Sequence, residues 1–518
     1  MTWEPELREL DRRLEMTRQM GGEANIQRQH DGGKLTVRER IEGLVDPGSF
    51  AETGALAGKA EYDAEGNLLN LFPSNFVMGF ARINGRRVVV GGDDFTVRGG
   101  AADASIGGKQ TYGEKMAREL RMPIVRLVDG TGGGGSVRTQ GNQGHTYIPA
   151  NPGWDTVVDM LSEVPVVAAA MGSVAGLGAA RVVTSHWAIM VKDTSQVFVA
   201  GPPVVASGMG EQVTKEDLGG HYIHYHNGVC DNLAEDEPDA FRQIRRFLSY
   251  LPQNVWQQPI RVEPTDDPQR RDEMLLSAIP RNRRRVYKVR AIIEAIVDRE
   301  SFFEIGAGWG GSVVTGFARL DGYPVGVISN DPYQYGGGLT SDGSDKMTRF
   351  VDLCDTFHIP AVNLLDQPGF VIGIAGEKDA TIRRGASAMA AVFQAKVPWV
   401  TIIMRRAFGV AGAAHANTAR LNLRYAWPSG DWGSLPLEGG IEAAYKRDLA
   451  NSADPAALRK ELEEKLGSVR SPMRTAHAFG VEHMIDPRET RPILCDWVEQ
   501  AYEIEATQLG PRTRGFRP

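Results

Sequence analysis

The sequence predicts an α/β protein built from two copies of one domain, with parallel strands joined by crossover helices. Two observations predict it. Segments of the first half recur, in order, in the second half. Short apolar runs that end in glycine turns alternate with amphipathic stretches, the pattern of buried parallel strands followed by helices. The recurrence is visible in the letters: Val77-Met-Gly-Phe-Ala-Arg-Ile-Asn-Gly is answered by Val314-Thr-Gly-Phe-Ala-Arg-Leu-Asp-Gly. Phe80 and Phe317 lie 237 positions apart, as do Lys109 and Lys346, and Asp129 and Asp366. Upstream, Arg38, Asp46 and Phe50 match Arg290, Asp298 and Phe302 at an offset of 252, so the first half carries an extra loop of about fifteen residues.

Each element follows from local pattern. Residues 87–92, 123–129 and 164–171 read as buried strands. Residues 116–121 and 346–354 read as amphipathic helices. A helix over 455–466 has Asp454 in the N-cap role and Pro455 at its first position. A further match aligns VPVVAAAMGSVAGLGAA, from Val164, with VPWVTIIMRRAFGVAGAA, from Val397, at an offset of 233. It pairs Met171 with Met404, Gly176 with Gly409 and Leu177 with Val410. The boundary falls where 250–270 is rich in Pro, Gln and charge, which gives domains 1–258 and 259–518.

Composition narrows the function classes. The net charge of −7 argues against a nucleic-acid-binding chain. Its one basic cluster, Arg281-Asn282-Arg283-Arg284-Arg285, reads as a solvated linker edge or a contact to an acidic partner or phosphate. Three distant cysteines, Cys230, Cys354 and Cys495, fit a reducing cytoplasm and neither a disulfide framework nor a zinc site. The apolar stretch 164–183 contains Pro165, several glycines and Arg181, so no membrane span is expected there. The charged start, MTWEPELREL, does not read as a signal peptide. His221, His224 and His226 have no common metal-ligand spacing, and no metal is expected in the chain.

The turns carry the chemistry. A helix that begins directly after a buried strand directs free N–H groups into the turn, and glycine lets a substrate oxygen approach them. Ala175-Gly176-Leu177-Gly178 and Phe408-Gly409-Val410-Ala411 have this character, and each could be an oxyanion hole or a tight packing turn. A reaction that develops negative oxygen on two partners would use both. The loop Gly130-Thr-Gly-Gly-Gly-Gly135 is neither a Walker loop nor a dinucleotide-binding turn. It either frames a substrate, with Arg138 nearby, or lies on the surface. Asp93 to Gly100, with Arg98, Gly99 and Gly100, and Lys109 beyond, suits a phosphate-bearing ligand or a solvated face.

These residues resemble the carboxyltransferase subunits of propionyl-, methylcrotonyl- and related biotin-dependent acyl-coenzyme A carboxylases. The stretches LTVRERIEGLVDPGSF, DDFTVRGG, VKDTSQVFVAGPPVV, LDQPGF, RRAFGVAG and YAWP carry the resemblance, which runs from about Leu35 to Ile485. It implies two duplicated crotonase-like domains of the ClpP/crotonase type, a ββα superhelix. It also implies a hexameric homo-oligomer, with sites where the N-terminal domain of one subunit meets the C-terminal domain of another. The first domain would bind the acyl-coenzyme A substrate and the second carboxybiotin. Gly176 and Leu177 match the first oxyanion hole; Gly409, Val410 and Ala411 match the second; Pro368, Gly369 and Phe370 match the biotin-side turn. Arg98, Gly99, Gly100, Lys109, Gly133, Gly134 and Ala413 are the expected substrate contacts. No Met-Lys-Met motif and no ATP-grasp segment is seen, so biotin is expected on a separate biotin carboxylase or carboxyl carrier subunit.

The sequence also departs from the family. Leu177 stands for the usual second glycine of the first hole, and Ala180, Arg181 and Val182 replace an aromatic and Ser-Pro. Ala413 stands where propionyl-type members carry an acid, which argues against simple propionyl specificity. The expected activity is transfer of a carboxyl group from carboxybiotin to the α-carbon of an acyl-coenzyme A thioester, half of a ligase reaction. The alternatives are a biotin-dependent decarboxylase subunit running the transfer backwards and a non-catalytic scaffold paralogue. A plain crotonase-type hydratase or isomerase leaves the duplication unexplained.

Overall fold

The computed structural model describes every residue except 1, 102–103, 131–140, 142–143, 147, 265 and 422, and the side chain at 438. It divides into two compact units, Met1–Gln257 with Gly510–Pro518, and Gln258–Leu509. The final segment therefore lies with the first unit, whereas the sequence assigns it to the second half. The reason is local packing: Phe516 is buried, its ring 4.7 Å from that of His186.

In the first unit a seven-stranded sheet follows chain order: Ala51–Glu52, Phe76–Ile83, Arg86–Asp93, Ile124–Val128, Val166–Ala170, Trp187–Val191 and Asn232–Ala234. The first three strands pair antiparallel, and all later neighbours pair parallel. Ile124–Val128, Val166–Ala170 and Trp187–Val191 are buried along their whole length, as parallel strands covered on both faces must be. A two-stranded parallel ribbon, Ser173–Ala175 with Gln196–Phe198, stands apart from the sheet.

The second unit repeats this plan. Phe303–Ile305, Val313–Leu320, Tyr323–Asn330, Ala361–Gln367, Trp399–Phe408, Leu423–Ala426 and His483–Met484 run in chain order, again with two antiparallel pairings followed by parallel ones. Asp431–Gly433 adds to the end of Trp399–Phe408. The Ala51–Phe80 pairing recurs as Phe303–Phe317, at the two offsets seen in the sequence.

The duplication extends to hydrogen bonds. The Asp46 carboxylate accepts the amides of Asn84 and Gly85 at 2.9 and 2.7 Å, and Asp298 accepts those of Asp321 and Gly322 at 3.1 and 2.8 Å. Arg38 pairs with Glu52, and Arg290 with Glu304. A carboxylate that closes the turn between two paired strands fixes their register, so this contact is retained in both copies.

Helix boundaries differ in detail. The helix expected over 116–121 spans Lys109–Glu119, and Arg121 is left-handed at φ 53°. The one expected over 346–354 spans Ser341–Thr356, capped by the Thr340 hydroxyl, which accepts the Gly343 amide. Pro455–Val469 starts as expected, with the Asp454 carboxylate accepting the amides of Ala456 and Ala457. The three cysteines are buried and unbridged. Among the described residues no helix is long and apolar enough to cross a membrane.

Candidate active site

The first turn sits at the carboxyl end of the parallel strands. After Val166–Ala170 the chain runs through Ser173–Ala175 and Gly176 into the short helix Leu177–Val183. A Cβ at Gly172 would overlap the Asp129 carboxylate, so the chain passes there only as glycine. Gly176 adopts φ 59° and ψ −122°, a conformation that L side chains rarely tolerate. Its own amide donates to the Phe198 carbonyl at 3.3 Å. The first-turn amides that lack an intrahelical acceptor therefore begin at Leu177 and continue with Gly178. Gly176, expected in the hole with Leu177, is where the chain turns into the helix. The Leu177 side chain is 41% exposed and does not fill the core.

Buried charges hold this helix in place. Arg126 Nη1 donates to the carbonyls of Arg181 and Thr184 at 3.1 and 2.8 Å, so a cation caps the helix C-terminus, where the macrodipole favours it. Arg181 pairs with Glu114 at 3.2 Å, and Arg126 Nη2 lies 3.1 Å from the same carboxylate but is not aligned for a hydrogen bond. Arg181 thus has a packing reason that the letters do not reveal. Arg126 was legible only as a member of the strand expected over 123–129, and Glu114 lies before the helix expected over 116–121.

Asp129 and Asp366 end equivalent strands and are both fully buried, yet they recruit different cations. Asp129 accepts Arg40 at 2.9 Å and Lys34 at 3.3 Å, and Arg40 also pairs with Glu237 at 2.8 Å. Asp366 accepts Arg405 at 2.8 Å, Arg406 at 2.7 Å and the Tyr287 hydroxyl at 2.8 Å. Burial raises the Asp366 carboxyl, but Arg406 and Arg405 outweigh it and hold the group below its ordinary value. Asp93 accepts the Asp129 amide at 3.1 Å and is pushed up to about 7, first by burial and then by the neighbouring Asp129.

The Arg98-Gly99-Gly100 turn is left-handed throughout, and a Cβ on Gly100 would meet the Asp129 carbonyl. Tyr335-Gly336-Gly337 repeats the conformation against the Asp366 carbonyl. The structure thus brings Arg98–Gly100, Asp129–Gly130 and Ala175–Gly176 to one edge, where the Ala175 amide donates to the Gly130 carbonyl at 3.3 Å. Lys109 is buried, with its side chain against Gly54. Its counterpart Lys346 donates to the carbonyls of Gly306 and Trp309 at 2.9 and 2.8 Å, and burial lowers it to about 8. A lysine at this position braces a loop in the second copy. Gly133, Gly134 and Arg138 lie outside the described residues.

In the second unit Trp399–Phe408 runs into Gly409, at φ 61°, and the helix Gly409–Ala413. Val410 and Ala411 lie in its first turn; the Val410 side chain is half exposed and Ala411 is buried. Gln367 pairs with Ala407, so the Pro368-Gly369-Phe370 turn and the Gly409 turn leave adjacent strands at the same end. Gly369 has φ 127°, and its amide donates to the Gln367 side chain at 3.0 Å. Phe370 packs on Gly385, where any side chain would collide with its ring. Ala413 is exposed at the helix end. His415 is buried and bonded through Nδ1 to the Gly412 carbonyl at 2.7 Å, and burial lowers its pKa. Of the clustered histidines, His224 bonds to the Val197 carbonyl at 2.7 Å and His221 lies 3.7 Å from Asp193.

Two duplicated sheets thus each present helix-opening amides beside a glycine turn, an arrangement suited to holding negative oxygen. A model of the carboxyl transferase domain matches residues 28–515. The chain is 33% identical to the carboxyltransferase subunit of propionyl-CoA carboxylase from Haloferax mediterranei, over 95% of each chain. It is also 33% identical to the α subunit of methylmalonyl-CoA decarboxylase from Veillonella parvula, over 93% of each. The solved transcarboxylase 12S, a hexamer with methylmalonyl-coenzyme A bound, superposes with a TM-score of 0.86 at 30% identity, covering 100% of this chain and 98% of that one. The chain belongs to the carboxyl transferase domain family and is a carboxyltransferase of the acyl-CoA carboxylase type.

Proposed function

We propose that the chain moves a carboxyl group from carboxybiotin to the α-carbon of an acyl-coenzyme A thioester, with one glycine turn serving each partner. The observation that carries this reading is the equivalence of the Gly176 and Gly409 turns in duplicated sheets. The Leu177 and Gly178 amides would hold the thioester oxygen as it becomes an enolate. The Val410 and Ala411 amides would hold a urea oxygen, a neutral acceptor that needs donors rather than a cation. The Gly409 and Pro368–Phe370 turns leave neighbouring strands, and no atom lies within 4 Å of a Cβ placed on Gly369, so the backbone there is open to a ring. When bound, carboxybiotin supplies both the carboxyl group and the base for the α-proton. No side chain of this chain is assigned that proton.

The acyl-coenzyme A is placed on the first unit, beside Arg98–Gly100 and Gly130, and the biotin of a separate carrier subunit on the second. A hexamer is the proposed assembly, supported by the hexamer of transcarboxylase 12S. The Veillonella parvula relative supports a second reading, in which the same turns run decarboxylation. Purified chain with its biotin-carrying partner, ATP and bicarbonate should carboxylate at least one ester of an acyl-coenzyme A panel. Turnover only in the decarboxylating direction would favour the second reading. No turnover either way by an intact oligomer would refute both.

A further inference from the structure

The basic run Arg281–Arg285 plays no part in the chemistry above, and the fold gives it a place. It borders a cavity of about 460 Å³ within the second unit, lined by Arg281, Arg283, Arg405, Arg406 and Arg470, with Asp431 as the one acid in the wall. None of Pro368–Phe370 or Gly409–Ala411 lines this cavity. Arg470 holds Asp431 Oδ1 at 2.6 Å and Arg283 holds Oδ2 at 2.5 Å. Arg405 and Arg406 are held by Asp366 behind them, and Arg405 Nη1 also donates to the Arg285 carbonyl at 2.9 Å. Five guanidiniums thus face two carboxylates, a surplus of three positive charges around one concavity.

We propose that this cavity is a binding site for a phosphorylated small molecule bearing at least two negative charges. Its volume lies in the range of small-molecule sites, about 300–1,000 Å³. Like charges gathered around one cavity repel each other, and a multivalent anion relieves that repulsion. Guanidiniums present paired donors that match phosphate oxygens. Arg405 and Arg406 are pre-positioned by Asp366, so little side-chain freedom is lost there on binding. Arg283 is 64% exposed along its side chain and can swing from Asp431 to a ligand while Arg470 keeps the carboxylate paired. The opposite wall, with Leu276, Ile279 and Pro428, offers an apolar surface to an organic part of the ligand.

The test is calorimetric titration of the full-length protein with inorganic pyrophosphate, which reads binding without any carboxyl transfer. The expected result is one saturable site per chain whose affinity falls as salt rises. Affinity should drop at least about tenfold in Arg281→Gln/Arg283→Gln, as expected when charge-assisted bonds to phosphate are removed. Arg281→Gln alone, at an exposed position, should show a smaller drop and guards against a folding defect. A parallel titration with ADP, scored only as the affinity lost in Arg281→Gln/Arg283→Gln because ADP is also part of coenzyme A, separates sources: a larger loss than for pyrophosphate means a nucleotide, a smaller loss a free polyphosphate, and no loss for either ligand overturns the proposal. Absence of saturable binding, unchanged affinity in the double variant, or malonate binding as tightly as pyrophosphate would overturn the proposal.

Discussion

Replacing Gly176 by alanine tests the proposed first oxyanion hole without touching a side chain of the site. At φ 59° and ψ −122°, an L residue occupies a sparsely populated region that costs about 1–3 kcal/mol. No atom lies within 4 Å of the new Cβ, so the penalty is conformational and not a collision. The chain can relax by rotating the peptide between 176 and 177, and that peptide carries the Leu177 amide. Losing one such donor lowers kcat by about 10²–10³, or roughly 2.7–4 kcal/mol. Gly176→Ala should therefore unfold at lower urea by no more than its strain, while kcat for carboxyl transfer falls by that factor. Leu177→Ala keeps both the amide and the glycine turn; its exposed side chain should change stability by about 0.5 kcal/mol at most and kcat only a few-fold. A folded Gly176→Ala enzyme with wild-type kcat, or a Leu177→Ala enzyme as slow as Gly176→Ala, would refute the assignment.

Three further outcomes are expected. Asp366→Asn leaves Arg405 and Arg406 without their carboxylate and should cost about 3–5 kcal/mol by denaturant titration. Because the folded-state pKa of Asp366 is depressed, its stabilisation is present above the ordinary aspartate value and lost as pH falls through the folded one; the variant should lack that acid-side loss, and an identical acid limb would count against the pairing. Glu114→Gln strands Arg126 and Arg181 and should destabilise by a similar amount, with Arg181→Met in the same chain recovering part of it; strict additivity in a double-mutant cycle would mean that the pair does not couple. Ala413→Asp, at an exposed position, should leave the unfolding midpoint in place and change the ratio of kcat/KM among acyl-coenzyme A esters, whereas an unchanged ratio across the panel would remove Ala413 from the acyl pocket.

The duplication was legible because its most constrained contacts keep their letters. Asp46 and Asp298 close equivalent turns, and Arg38 and Arg290 reach equivalent glutamates, so both copies hold the residue that the geometry needs. The Gly176 turn was legible for the same reason: at φ 59° and ψ −122° the chain adopts a conformation that L side chains rarely reach, so the position stays glycine. Legibility ended where one residue's role depends on a distant element. The Gly176 amide is used up by Phe198, 22 positions away, and no local pattern announces a ribbon so short. Arg181, Glu114 and Arg126 come from three separate elements and share one buried charge network, so each reads alone as an ordinary charged residue. Asp129 and Asp366 match in sequence, yet the first is served from the N-terminal segment and the second from its neighbouring strand. The helix from Lys109 begins after a left-handed glycine without a side-chain cap, which removes the usual start signal.

In the proposed reaction, two equivalent turns divide the work between them. The most direct measurement of this division is exchange of the α-proton of an acyl-coenzyme A with solvent deuterium, followed by mass spectrometry in the presence of free biotin, for wild type, Gly176→Ala and Gly409→Ala. Wild-type exchange should depend on biotin and be lost in both variants, because enolate and urea oxygens each need their own amides. Exchange that persists without biotin, or that survives in the Gly409→Ala enzyme, would mean that the two turns do not share the reaction.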